Sequence, residues 1–143
     1  MKRSRRLQPV VRVAENRQQQ AARVLGKAQA ELAAAEQRLS ELKSYREEYI
    51  RRFQAAGAQG MGVVQMSDYR QFLHRLSQAI EQQVQVVAQV AAQMEEQRRR
   101  WFTSRGKAQM LDSVVQRYQA DEQREADRKE QGELDDRPPR ANR

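Results

Sequence analysis

The sequence predicts an all-α fold, a long antiparallel two-helix coiled-coil hairpin. Three observations carry that expectation: two long apolar repeats in steps of four and three, a glycine cluster between them, and a composition of helix formers. Ala, Gln, Glu, Arg and Leu dominate, with six Gly and three Pro in 143 residues. Charged residues reach 32% and hydrophobic ones 38%, more charge and less apolar content than a compact globule carries. The regular repeat argues against disorder.

The first repeat runs Leu7, Val11, Ala14, Gln18, Ala21, Leu25, Ala28, Leu32, Ala35, Leu39, Leu42, Arg46, Tyr49, Phe53. Twelve of these fourteen positions are apolar, and none is Gly or Pro. This is the a/d seam of a left-handed coiled coil, so helix 1 is expected over about 5–54. Gly57, Gly60 and Gly62 then break the pattern, each at about 1 kcal/mol relative to Ala. A loop is expected over 55–67, with Ser67 as the N-cap of a second helix.

The second repeat runs Tyr69, Leu73, Leu76, Ile80, Gln83, Val87, Val90, Met94, Gln97, Trp101, Ser104, Ala108, Leu111, Val115, Tyr118, Glu122. It predicts helix 2 over about 68–128, inside a single domain spanning 1–131. Gly132 and the Pro138-Pro139 pair predict a disordered charged tail over 132–143. Helix 2 is expected to outlast helix 1 beyond about residue 118.

Folding the two seams onto each other suggests a register. If facing residue numbers add to about 122, Phe53 meets Tyr69, Leu42 meets Ile80 and Leu7 meets Val115. Small then faces large, with Ala21 opposite Trp101 and Ala28 opposite Met94. Gln18 faces Ser104, two polar groups able to satisfy each other. Arg46 opposite Leu76 and Leu25 opposite Gln97 fit less well.

The net charge is +8 with a pI near 10.4, a balance that favours acidic partners. The excess lies toward the N-terminus: residues 1–54 hold 13 Lys/Arg against 6 Glu. There are no cysteines, so thiol chemistry is excluded. The start of the chain lacks a signal-peptide apolar core, and no window approaches a membrane span, so a soluble cytoplasmic protein is expected.

Catalysis finds little support. His74 is the sole histidine and lies beside the seam, as a solvated helix residue would. Glu47-Glu48 and Glu95-Glu96 are adjacent on a helix and point apart. No phosphate loop follows the glycines, and metal ligands are lacking. No enzyme activity, cofactor or metal is expected. Trp101 reads as core.

The edges say more. With Arg46 at an a position, Tyr45 is a g position, as are Phe72, Ala79 and Val86 on helix 2. That flank normally carries charge. Contiguous aromatics there suggest a protein-docking site. The basic residues Lys2, Arg3, Arg5 and Arg6 start the chain, and Arg98, Arg99, Arg100, Arg105 and Lys107 crowd helix 2. A basic coiled coil that binds nucleic acid is the alternative function. Interleaved acids and the lack of a recognition motif favour an acidic protein partner instead.

The chain resembles the flagellar type III export protein family FliJ. The match lies in Tyr45-Arg46-Glu47-Glu48-Tyr49 near the end of helix 1, a Gly-containing loop, and Tyr69-Arg70-Gln71-Phe72-Leu73. It continues through Leu76, Ala79-Ile80-Glu81-Gln82 and Trp101 to Arg117 and a charged tail. The resemblance implies a cytoplasmic adaptor, associated peripherally with the inner-membrane export apparatus and needed for flagellum biogenesis and motility. It implies binding to the export ATPase (FliI) and regulation of it, contact with the export-gate membrane protein (FlhA), and escort of export chaperones. Such an adaptor would couple ATP hydrolysis to type III export. The gate contact would fall on Leu42, Tyr45, Tyr49, Phe72, Leu76 and Ala79, and the ATPase contact on Lys2, Arg3, Arg5, Arg6 and Leu7.

Overall fold

The computed structural model describes residues 2–57 and 60–136. They form two helices, α1 (Arg3–Gly57) and α2 (Val63–Asp135), with no strand among the described residues. The helices pack on each other antiparallel, as the seams predict. Contacts group into two compact units: the chain up to Ala22 with the chain from Arg100, and Arg23–Arg99. The expected single domain over 1–131 takes in both. A residue in a two-helix layer touches only its neighbours along the seam, so contacts are local by construction.

The unit Arg23–Arg99 contains the turn. Its buried apolar residues are Leu25, Ala28, Ala35 and Leu76, all seam positions. Phe53 stacks on Tyr69, the pairing expected from numbers that add to 122. Gln83 is 8% exposed, and its side-chain amide donates a 3.0 Å hydrogen bond to the backbone carbonyl of Ala35. A polar seam residue so satisfied opposes slippage, because another register would leave it buried and unpaired. Arg46 is the one seam position of α1 that is exposed, which resolves its poor fit opposite Leu76: the long side chain carries its charge out to water.

In the terminal unit Ala108 and Val115 are buried, with Leu7, Val11, Ala14 and Leu111 half-buried. Pro9 lies inside α1 at an exposed position. It supplies no amide hydrogen, so the Arg5 carbonyl loses its helical donor. Residues 123–135 of α2 are helical and all exposed.

The helix limits correct three expectations. α1 runs past 54 to Gly57, because Ala55 and Ala56 propagate a helix well and Ala56 lies half-buried three residues beyond Phe53. α2 starts at Val63, ahead of 68, and Ser67 lies inside it. The cap is Gly62: its N–H donates to the Gln65 side-chain carbonyl at 3.3 Å, the reach-back half of a capping box. The non-helical described residues of the turn are therefore only 60–62. Gly60 there has φ +86°, a conformation that favours glycine, and its N–H donates to the Gly57 carbonyl at 3.2 Å. At the other end α2 passes Gly132 and reaches Asp135, so the expected disorder from 132 does not hold for 132–135. The Asp136 N–H donates to the Gly132 carbonyl at 3.0 Å, so helical hydrogen bonding carries through that stretch. The remaining tail, 137–143, lies outside the described residues.

Candidate protein-docking surfaces

Five of the chain's eight aromatic residues gather in the unit Arg23–Arg99. They form a ladder from the seam outward. Phe53 and Tyr69, at a and d positions, stack with ring centroids 3.4 Å apart and planes 9° apart. Tyr69 stacks on Tyr49 at 5.5 Å, and Tyr49 tilts against Phe72 at 4.5 Å. Phe72 meets Tyr45 edge-on at 6.1 Å. Each such pair contributes about 0.5–1.5 kcal/mol beyond simple burial. The ladder's outer end, Tyr45, is 48% exposed, while Phe72 is half-buried. Tyr45 is thus a large aromatic surface held in place from behind, which suits an anchor for a partner.

The six residues expected at this flank divide by depth. Leu76 is buried at 7% exposure, so it supports the surface from the seam. Leu42, Tyr49, Phe72 and Ala79 are half-buried, and Tyr45 is open. The structure brings Tyr45 and Tyr49 each into ring contact with Phe72 and adds Phe53 and Tyr69, which sequence reasoning treated only as facing core residues. Their position at the end of both seams, beside the glycine turn, was the available signal.

The terminal unit presents a different chemistry. Lys2, Arg3, Arg5 and Arg6 are exposed and Leu7 is half-buried. Between them Ser4 is 7% exposed. Its amide donates to Glu122 Oε1 at 3.1 Å and its hydroxyl to Oε2 at 2.7 Å. One carboxylate of α2 therefore takes a first-turn N–H of α1, which has no acceptor within its own helix. The hydroxyl bond from Ser4 holds the Glu122 carboxyl below its ordinary value; burial pushes the other way, and the Ser4 amide and the charge of Lys2 add to the lowering. Arg3 lies over the Tyr118 ring at 5.7 Å, a cation–π contact. Ser4 was missed in the sequence, although it sits one step before Leu7 in the same repeat.

Elsewhere the surface is laced along each helix. Arg52 pairs with Glu48 at 2.7 Å, Arg98 with Glu95 at 3.7 Å and Arg99 with Glu96 at 3.9 Å. His74 is exposed. Trp101 is half-buried against Phe102 at 5.0 Å, with the Arg105 guanidinium 5.3 Å from its ring centroid. No described helix is long and apolar enough to cross a membrane.

No curated protein and no solved structure matches the chain. A family model described as "Flagellar FliJ protein" does match, over residues 2–140, nearly the full length. Together with two antiparallel helices and the aromatic flank, that match places the chain in the flagellar FliJ protein family, components of flagellar protein export.

Proposed function

We propose that this chain is an export adaptor that performs no chemistry itself and works by docking other proteins. The aromatic flank binds the export-gate membrane protein through Tyr45, with Tyr49 and Phe72 behind it and Leu42, Leu76 and Ala79 supporting the same edge. The basic start of α1, Lys2, Arg3, Arg5, Arg6 and Leu7, contacts the export ATPase. Holding both partners on one pair of packed helices couples ATP hydrolysis to export, and export chaperones are escorted on the same scaffold. The adaptor acts in the cytoplasm, at the inner-membrane apparatus. The observation that carries this reading is the exposure of Tyr45 at the end of a packed aromatic ladder. Such a surface recurs at protein interfaces, and solvent alone gives no reason to keep it.

Tyr45→Ala combined with Phe72→Ala tests it. The double variant is expected to abolish motility and to lose capture of the gate protein's cytoplasmic part, while keeping helix content and ATPase capture. Normal motility with normal gate capture would overturn the gate assignment. Nucleic-acid binding is disfavoured by the carboxylates paired with Arg98 and Arg99. A gel shift with duplex DNA at moderate salt is expected to show no complex.

A further inference from the structure

The terminal unit carries a second apolar surface. Val10, Val13 and Met110 are 47%, 50% and 61% exposed, and all three line one groove of about 250 Å³. Half-buried Ala14 and Leu111 line it as well. Two cations complete the rim, Arg17 and Lys107, and no carboxylate lines the groove. Val10, Arg17 and Lys107 are all g positions, where a coiled coil normally carries balanced charge.

The charge here is not balanced within the helices. The residues three and four away from Arg17 are Val13, Ala14, Gln20 and Ala21. Those around Lys107 are Thr103, Ser104, Met110 and Leu111. Arg52, Arg98, Arg99 and Arg124, by contrast, each sit three or four residues from an acid and pair with it. An apolar strip between two helices, flanked by two cations without such neighbours, is complementary to a third helix with an apolar stripe and acidic borders.

We propose that this groove docks an acidic amphipathic helix of another protein. A second copy of this chain fits poorly. Its most acidic stretch, 119–136, offers only Ala120, Ala126 and Leu134 as apolar residues, too widely spaced to form a stripe. The proposal is independent of the gate assignment, which concerns the other unit.

The test uses the full chain and a labelled synthetic helix with leucines in steps of three and four and glutamates along both borders. A twin peptide has lysine at every glutamate. Fluorescence anisotropy is expected to show micromolar binding of the acidic peptide, at least tenfold weaker binding of the basic twin, and loss of that gap in high salt. Arg17→Glu with Lys107→Glu is expected to invert the preference. Val13→Ser with Met110→Ser, both at exposed positions, is expected to weaken the acidic peptide at least tenfold with unchanged helix content. Tyr45→Ala with Phe72→Ala is expected to leave binding as it was. Equal affinity for both peptides, or a preference that survives the charge reversal, would overturn the proposal. So would sedimentation showing a dimer that the same two reversals dissolve, since the occupant would then be a second copy.

Discussion

The two units hold the same pair of helices together by different means. In Arg23–Arg99 the pairing rests on rings and aliphatic seam residues, with Gln83 as a buried polar pin. At the far end of α1 it closes on a carboxylate that takes two hydrogen bonds from one serine. Apolar and aromatic contacts carry no charge to titrate, whereas a clasp built on one ionised carboxylate weakens once that group is protonated.

The greatest cost falls on the aromatic side. Phe53→Ala should lower unfolding free energy by about 2–3 kcal/mol, less than the roughly 3–5 typical of a fully buried ring because Phe53 is half-buried. Tyr69→Ala should behave alike, and the double variant should cost less than the sum because the rings stack on each other. Urea midpoints measured at pH 7 and pH 4 should shift equally. A loss that depended on pH would erase the contrast between the units.

Next in size is Pro9 in the terminal unit. Pro9→Ala restores a helical donor for the Arg5 carbonyl and should stabilise α1 by roughly 1–2 kcal/mol. The full interior cost of about 3 kcal/mol does not apply, since fewer than two turns precede it. Slower amide exchange in the first two turns would register the gain. Unchanged exchange would mean that the clasp already holds the segment at full strength.

Gly26 and Gly106 probe both units with one chemistry, because one lies in each unit and both are helical and exposed. A Cβ at either would meet nothing within 4 Å. Alanine at each should stabilise by about 0.5–1 kcal/mol through backbone entropy alone. Equal shifts in the urea midpoint would show that the two units unfold together; a gain from only one substitution would show that they do not.

The seams were fully legible in the sequence. All sixteen seam positions of α2 are buried or half-buried, and on α1 only Arg46 departs, for the reason its charge supplies. Tyr45, Phe72 and Ala79 could be placed on one flank because heptad position fixes which side of a helix a residue occupies, whereas Leu42, Tyr49 and Leu76 were added by the family resemblance. The ends were less legible. Gly62 with Gln65 caps α2 by a side chain reaching backward, which outweighs the stronger N-cap preference of Ser67. The Ser4–Glu122 clasp joins residues 118 apart, and only the register brings them together. The groove at Val10 and Met110 escaped notice for the same reason: the strip exists only once the helices are side by side.

The mildest effect belongs to the clasp itself. Glu122 is held below its ordinary value, so its contribution is complete above the unfolded carboxyl value near 4.5 and disappears as pH falls through the lowered folded value. The protection of the Ser4 amide, taken relative to its intrinsic exchange rate at each pH, should therefore fall as pH drops through the lowered carboxyl value, with the unit Arg23–Arg99 unaffected. Glu122→Gln should show the weaker protection already at pH 7 and no further acid step. Ser4→Ala should bring the Glu122 titration, followed by the carboxyl carbon in NMR, back up toward its ordinary value, because it removes the hydroxyl bond that lowers it most. An unmoved titration would assign the lowering to Lys2 and the Ser4 amide, and the serine hydroxyl would then be no more than a spacer in the seam.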